Sequence, residues 1–317
     1  MFTLILRRLL QLPLILAVIF IITLMLVWVI PGSPLETEDA RQVDPDVLAA
    51  MEAQYGLDQS TPVFAKNYLM DVLTGFDFGP SLQYPGQTVN GILAETLPVS
   101  MALGAGALAF ALLLGTTAGV LGALKPGSAL EASSLTIALI GISLPSFVTG
   151  NILLAVFAGL TRRYLPDAEV LHFPLGGWGS PWAMVLPAIA LGLAPAAYIA
   201  RLIRLGLADL MSSDFVRTAR AKGLTRYQAL FKHALKVAFL PVLSFMGPAA
   251  ASALTGSFVI EQVFNIPGLG NYFVNAVLNK DQFLLLAIVL IYSTLLIGFN
   301  LLVDVAYAWL DPRIELT

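Results

Sequence analysis

Apolar residues in this chain come in long blocks and hardly alternate with polar ones. Six stretches, about Leu9–Ile30, Val99–Leu124, Leu135–Leu160, Ala183–Gly206, Val237–Ile260 and Phe283–Leu310, are apolar over a length that suits a bilayer, since a spanning helix needs roughly 20 such residues. The pattern changes in two places. From Pro31 to Pro98 polar residues return, with room for short helices and a small cap. From Leu207 to Lys236 the pattern becomes amphipathic. There Tyr227, Leu230, Phe231, Ala234, Leu235 and Ala238 recur at i, i+3, i+4, i+7, i+8 and i+11, while Arg226, Lys232 and Lys236 fall off that stripe. The expected architecture is an all-α polytopic membrane protein of six transmembrane helices. It divides into the N-terminal end and first helix (1–30), a loop (31–98) and a five-helix core (99–317) carrying the basic loop 207–236.

Composition agrees with this class. Of 317 residues 58% are hydrophobic and only 12% charged, and the mean hydropathy is +0.84, outside the range of soluble domains. Six spans place both termini on one side. Arg7 and Arg8 precede the first span, which is too long for a signal-peptide core and lacks a convincing small-residue cleavage site, so it reads as a retained anchor with a cytoplasmic N-terminus. The loop from Pro31 to Pro98 then falls outside, where its ten acidic residues face only Arg41 and Lys66. The stretch from Arg201 to Lys236 falls inside and holds eight of the seventeen Lys and Arg, as the positive-inside rule requires. Arg162 and Arg163 dissent, at a span end where such side chains snorkel to headgroups.

Several absences narrow the function. The chain has no cysteine and only two histidines, His172 and His233, so neither a disulfide framework nor a histidine metal site is expected, and no catalytic constellation can be assembled. The spans, the fourth taken only as far as Ala200, hold no Asp, Glu, Lys, Arg or His, Asp304 near the inner end of the last one excepted. That argues against a proton-driven carrier, which needs titratable groups in the bilayer, while a sodium-coupled carrier using carbonyls and hydroxyls stays open. No lysine follows a glycine, so a GxxxxGK[ST] phosphate loop is impossible and any ATP motor must be a separate subunit. Nothing suggests a nucleic-acid partner. Gly115 and Gly119 form a GxxxG pair, and Gly141, Ser143, Ser146 and Gly150 line the third span; both suit close helix packing. Pro145, Pro187, Pro195, Pro241 and Pro248 interrupt the spans and point weakly to a pathway.

The basic loop reads as helix, tight turn, helix. Asp214 can cap a helix running through Arg220 to Lys222, Gly223 supplies a left-handed stop, and Thr225 with Gln228 fits a capping box. Such a basic amphipathic element can float on anionic lipid, mark topology, or dock a partner.

The run Arg217-Thr218-Ala219-Arg220-Ala221-Lys222-Gly223, followed by Lys232-His233-Ala234-Leu235, resembles the EAA loop of ABC-transporter permeases, in the form typical of oligopeptide, dipeptide and nickel importers. Arg217 stands where Glu is usual in the broader family, and Lys236 where Pro is. The resemblance extends through Phe2–Arg8 with Pro31–Pro34, Gly75–Ser81, Ser143–Phe147, Val259–Glu261, Pro267–Gly270 and Asp311–Arg313. It implies a type I importer permease fold whose coupling helix, between the fourth and fifth spans, docks on an ATP-binding subunit through Arg217, Ala219, Lys222, Gly223, Thr225, Tyr227, Leu230, Phe231 and His233. Glu261, Pro267, Gly268 and Gly270 are candidates for a gate or a binding-protein contact, or else simple turn and helix-end residues. The implied partners are a second, homologous permease, two ATP-binding subunits that hold the ATP and Mg, an external substrate-binding protein, a peptide cargo and membrane lipid. The setting is a bacterial or archaeal inner membrane. Alternatives are dipeptides or chelated nickel as cargo, and, in another class, a carrier or channel that works without ATP.

Overall fold

The computed structural model describes residues 2–29, 35, 45–124, 127, 136, 141–164 and 175–310. Among them strand pairing is limited to one antiparallel bridge between Pro80 and Thr88. The helices are α1 (Phe2–Val29), α2 (Pro45–Tyr55), α3 (Thr61–Gly75), α4 (Val89–Leu124), α5 (Ser146–Tyr164), α6 (Val185–Leu210), α7 (Asp214–Ala221), α8 (Arg226–Ala238), α9 (Leu240–Val263), α10 (Leu269–Leu278) and α11 (Gln282–Leu310). Four helical runs among the described residues are long and apolar enough to cross a membrane: Arg8–Val29, Val89–Leu124, Pro181–Leu210 and Gln282–Trp309. A fifth arises if α8 and α9, bent by 47° at their junction, count as one broken span. The expected third span lies partly outside the described residues, which show it as the shorter apolar helix Ser146–Leu160.

Two boundaries differ from expectation for physical reasons. Helix α4 starts at Val89, well before Val99, because Thr88 accepts a hydrogen bond from Gly91 N at 3.1 Å and caps it. Its first turns then bury Val89, Ile92 and Leu93 while Glu95 stays exposed. Helix α9, in the expected fifth span, starts at Leu240 because Pro241 lies in its first turn and cannot donate to the Val237 carbonyl, so α8 cannot run straight on.

The chain divides into two compact units, one of residues Ile5–Val99 and Gly268–Ile297, the other built on Ser100–Pro267 with the terminal segments. The core of the first gathers Phe20, Leu24 and Val27 of α1, Phe64 and Tyr68 of α3, Ile92 of α4, Leu269 of α10 and Phe283 to Ile288 of α11. Phe64 and Phe283 meet at 5.5 Å between ring centroids, tilted by 59°. Tyr68 stacks on Phe20 at 5.8 Å and 6°. Burial, with Asp281 and Asp77 adding repulsion, pushes the Tyr68 phenol well above its usual pKa, so it stays neutral.

Asp281 clasps this unit together. Fully buried just before α11, it accepts from the Ser81 hydroxyl at 2.6 Å, Leu82 N at 2.9 Å and Gln83 N at 3.2 Å on one oxygen, and from Leu284 N at 3.2 Å on the other. The carboxylate thus caps α11 and fixes the loop that follows Pro80. Gly79 permits the clasp: its φ is +82°, and a Cβ there would lie 2.7 Å from the Phe283 ring.

In the second unit α4 and α6 approach through the expected glycine pair. A Cβ on Gly115 would lie 2.5 Å from the Ala196 carbonyl oxygen, and one on Gly119 would lie 2.7 Å from that of Ala200. Close backbone approach is what associates helices in lipid.

Candidate functional site: the basic helical corner

Helix α7 begins one residue earlier than the sequence suggests. Ser213, not Asp214, occupies the N-cap position, with extended backbone and no capping side-chain hydrogen bond. Asp214 sits instead in the first turn, where its charge suits the helix dipole, and its carboxylate lies 3.8 Å from Arg217. Both partners are highly exposed, so the pair contributes little stability.

The helix ends as expected. Lys222 is the C-cap and Gly223 has φ +95°. Gly223 N donates to the Arg220 carbonyl at 3.0 Å and Leu224 N to the Ala219 carbonyl at 3.3 Å, the paired bonds of a Schellman stop. Helix α8 starts at once. Gln228 N donates to the Thr225 hydroxyl at 3.3 Å, and Thr225 N donates to Gln228 Oε1 at 3.0 Å, completing the capping box. Only Gly223 and Leu224 separate the two caps, so both helix ends at the corner are satisfied locally.

The apolar stripe of α8 divides in two. Leu230, Ala234 and Ala238, with Ala229, are buried against Ile203 and Leu207 of α6 and Val216 of α7. Tyr227 and Phe231 remain 59% and 54% exposed. Leu230–Ala234 forms a π turn, which takes in one extra residue and shifts the register of the face. Phe215 of α7 is also 43% exposed. Sequence reasoning missed it; the available signal was a large aromatic lying off the buried Val216 and Ala219 face.

Of the candidate coupling residues, Arg217, Lys222, Gly223, Thr225, Tyr227, Phe231 and His233 are exposed together on this corner. Ala219 and Leu230 are buried at 8% and 1%, so they hold the corner on the core and do not form its surface.

The second candidate set lies in another stretch. Glu261 is fully buried near the end of α9. Its carbonyl accepts from Ile266 N at 2.8 Å, closing a turn in which Asn265 has φ +51°. Gly268 is the extended N-cap of α10, and Gly270 is buried in that helix. Pro267–Gly270 is therefore a helix start.

Residues 111–316 match the family described as "Binding-protein-dependent transport system inner membrane component", and residues 1–103 match its N-terminal partner family, "Binding-prot-dependent transport system membrane comp, N-term". The chain is 42% identical over 313 residues to the oligopeptide transport system permease protein OppB of Salmonella typhimurium, covering 98% of each chain. It is 42% identical over 288 residues to OppB of Haemophilus influenzae, covering 90% of each. To the dipeptide transport system permease protein DppB of Bacillus subtilis it is 40% identical over 299 residues, covering 94% of this chain and 93% of that one. A polytopic helical chain without a phosphate loop, matched over at least 90% of its length by such relatives, belongs to the family of inner-membrane components of binding-protein-dependent transport systems.

Proposed function

We propose that this chain is the pore-forming permease subunit of an ATP-driven importer of peptides, oligopeptides foremost, and that the α7–α8 corner couples it to the ATP-binding subunits. The cargo rests on likeness to OppB and DppB relatives across nearly the whole chain. Six transmembrane helices, cytoplasmic termini, a cytoplasmic corner, a homologous second permease, two ATPases and an external binding protein complete the reading. The chain does not hydrolyse ATP itself, because it has no Gly-Lys dipeptide for a phosphate loop.

The observation that carries coupling is the exposed pair Tyr227 and Phe231 on a helix whose other face is buried in its own core. A helix floating on lipid needs only amphipathicity, whereas a docked helix needs particular side chains at a fixed angle. The double cap fixes that angle. ATP-driven closure of the motor subunits would push on the corner, and α8, packed on α6, would carry the displacement into the spans.

The test is reconstitution with the second permease, the ATPases and the binding protein, with a cysteine at exposed Lys232 and others along the facing surface of the ATPase. Crosslinks whose yield responds to nucleotide, together with peptide import that is lost on Tyr227→Ala plus Phe231→Ala, support the reading. Unchanged import and no such crosslink overturn it.

A further inference from the structure

Helix α9 presents its two sides very differently. Val242, Leu243, Met246, Ala249 and Ala250 are buried, while Pro241, Ser244 and Pro248 share the exposed side at intervals of three and four residues. Along that side runs a cleft of about 680 Å³, walled by Tyr198 and Leu202 of α6, Val237 of α8, Ser244 and Phe245 of α9 and Tyr307 of α11, together with the two prolines. The Tyr198 and Phe245 rings pack at 4.3 Å between centroids. Among the described residues no charged side chain lines it.

The prolines decide what this cleft can face. Pro248 has no N–H, so the Ser244 carbonyl cannot receive its usual i+4 donation, and Pro241 denies the same to Val237. Carbonyls deprived of their i+4 donor on an exposed face are costly against lipid tails, and are tolerated where water or protein can reach them. Ser244 adds a hydroxyl to the same strip, and at 3.5 Å from the Leu240 carbonyl its internal hydrogen bond is weak. The strip is thus acceptor-rich, flanked by neutral aromatic rings, and without charge.

From this arrangement we infer that the cleft is a cargo-contacting wall of the translocation path and binds peptides through their backbone. Peptide N–H groups are the donors every peptide shares whatever its sequence, and the Ser244 and Val237 carbonyls are matched to them. Tyr198, Phe245 and Tyr307 offer rings against which varied side chains can lie, and the lack of fixed charge avoids rejecting acidic or basic cargo. The inference rests on the peptide-importer reading for its ligand, though the wetness of the cleft is argued from the prolines alone.

The chain has no cysteine, which makes site-specific labelling clean. In the assembled complex, with reactive cysteines removed from the partners, a cysteine at Ser244 is compared with one at Leu302, an exposed apolar residue of α11. A water-soluble maleimide needs a thiolate, which forms only where water reaches. The Ser244 site should react about tenfold faster or more, and saturating peptide cargo should slow it. In parallel, Ser244→Trp narrows the cleft and should lower import of peptides with bulky side chains about tenfold relative to alanine-rich ones, while complex assembly is unchanged. Equal, slow labelling at the two positions overturns the inference, as does normal import of both peptides by Ser244→Trp. If the unmodified complex imports no peptide, it is the functional reading that fails. The labelling comparison then still decides whether the cleft is wet, and slow labelling there overturns that too.

Discussion

Around Asp281, the rings of Phe64, Tyr68 and Phe283 are engaged with one another and a carboxylate is saturated with four donors. Around Gly223, the backbone is held just as firmly by a Schellman stop and a capping box, yet Phe215, Tyr227 and Phe231 are left half exposed. Both regions contain a positive-φ glycine, a capping side chain and a small group of aromatic residues. The clasp turns its aromatic surface inward and spends it on stability. The corner keeps a rigid frame and leaves its aromatic surface for something else to cover. Exposed aromatic residues on a well-fixed backbone are the mark of an interface, because little entropy remains to be lost on docking.

Substitutions can sharpen this contrast. The largest effect is expected for Phe64→Ala, which empties a fully packed site in the clasp and should cost about 3–5 kcal/mol, read as a shifted denaturation midpoint of the purified chain in detergent. A cost below about 1 kcal/mol would mean that this unit is far looser than its packing implies. Asp281→Ala should follow at about 3 kcal/mol, since it strands buried donors on Ser81, Leu82 and Gln83. Its signature is new protease cleavage between Ser81 and Thr88, and Asp281→Asn should recover part of the loss. Gly223→Val forces a β-branched residue to φ +95° and should cost roughly 1–2 kcal/mol. Membrane insertion should survive because the spans are untouched, but import by the assembled complex should fall. If import stays at the unmodified level, the angle of the corner does not matter. The smallest stability effect belongs to Phe231→Ala, within about 0.5 kcal/mol in the isolated chain. Its affinity for the ATP-binding subunit should nevertheless drop, by up to about 1.5–3 kcal/mol if the ring is fully covered on docking. Equal binding of mutant and parent would break the comparison at its centre.

Much of the corner was legible in the sequence because its rules are local. Gly223 as a stop and Thr225 with Gln228 as a box need only a few neighbouring residues to be recognised, and the structure contains both. The apolar stripe of α8 was legible as a stripe. Its division into a buried ladder through Leu230 and an exposed pair at Tyr227 and Phe231 was not, because the π turn answers to packing against α6, which lies outside any local window. The Asp281 clasp was illegible for the same reason on a larger scale, since its partners Ser81 to Gln83 lie some 200 positions earlier in the chain. The segment Gly75–Ser81 was visible as a motif, but its job was not. Long apolar blocks located most of the spans. Their ends were set by features that hydropathy does not see, such as Thr88 capping α4 and Pro241 breaking the junction of α8 with α9.

The two-residue joint at Gly223 and Leu224 has a consequence for how this protein can vary. Each residue from Ala219 to Gln228 that makes a cap is bonded at a fixed sequence offset to its partner, so the joint works as a ruler. Exchanging exposed side chains such as Arg220 or Arg226 leaves every offset intact. Adding or removing a single residue within Ala219–Leu224 unhitches the stop, one within Thr225–Gln228 unhitches the box, and one added between Leu224 and Thr225 leaves both but lengthens the joint that sets the angle. Insertions and deletions should therefore be tolerated far less here than substitutions, a bias that a saturation library scored for import would expose directly.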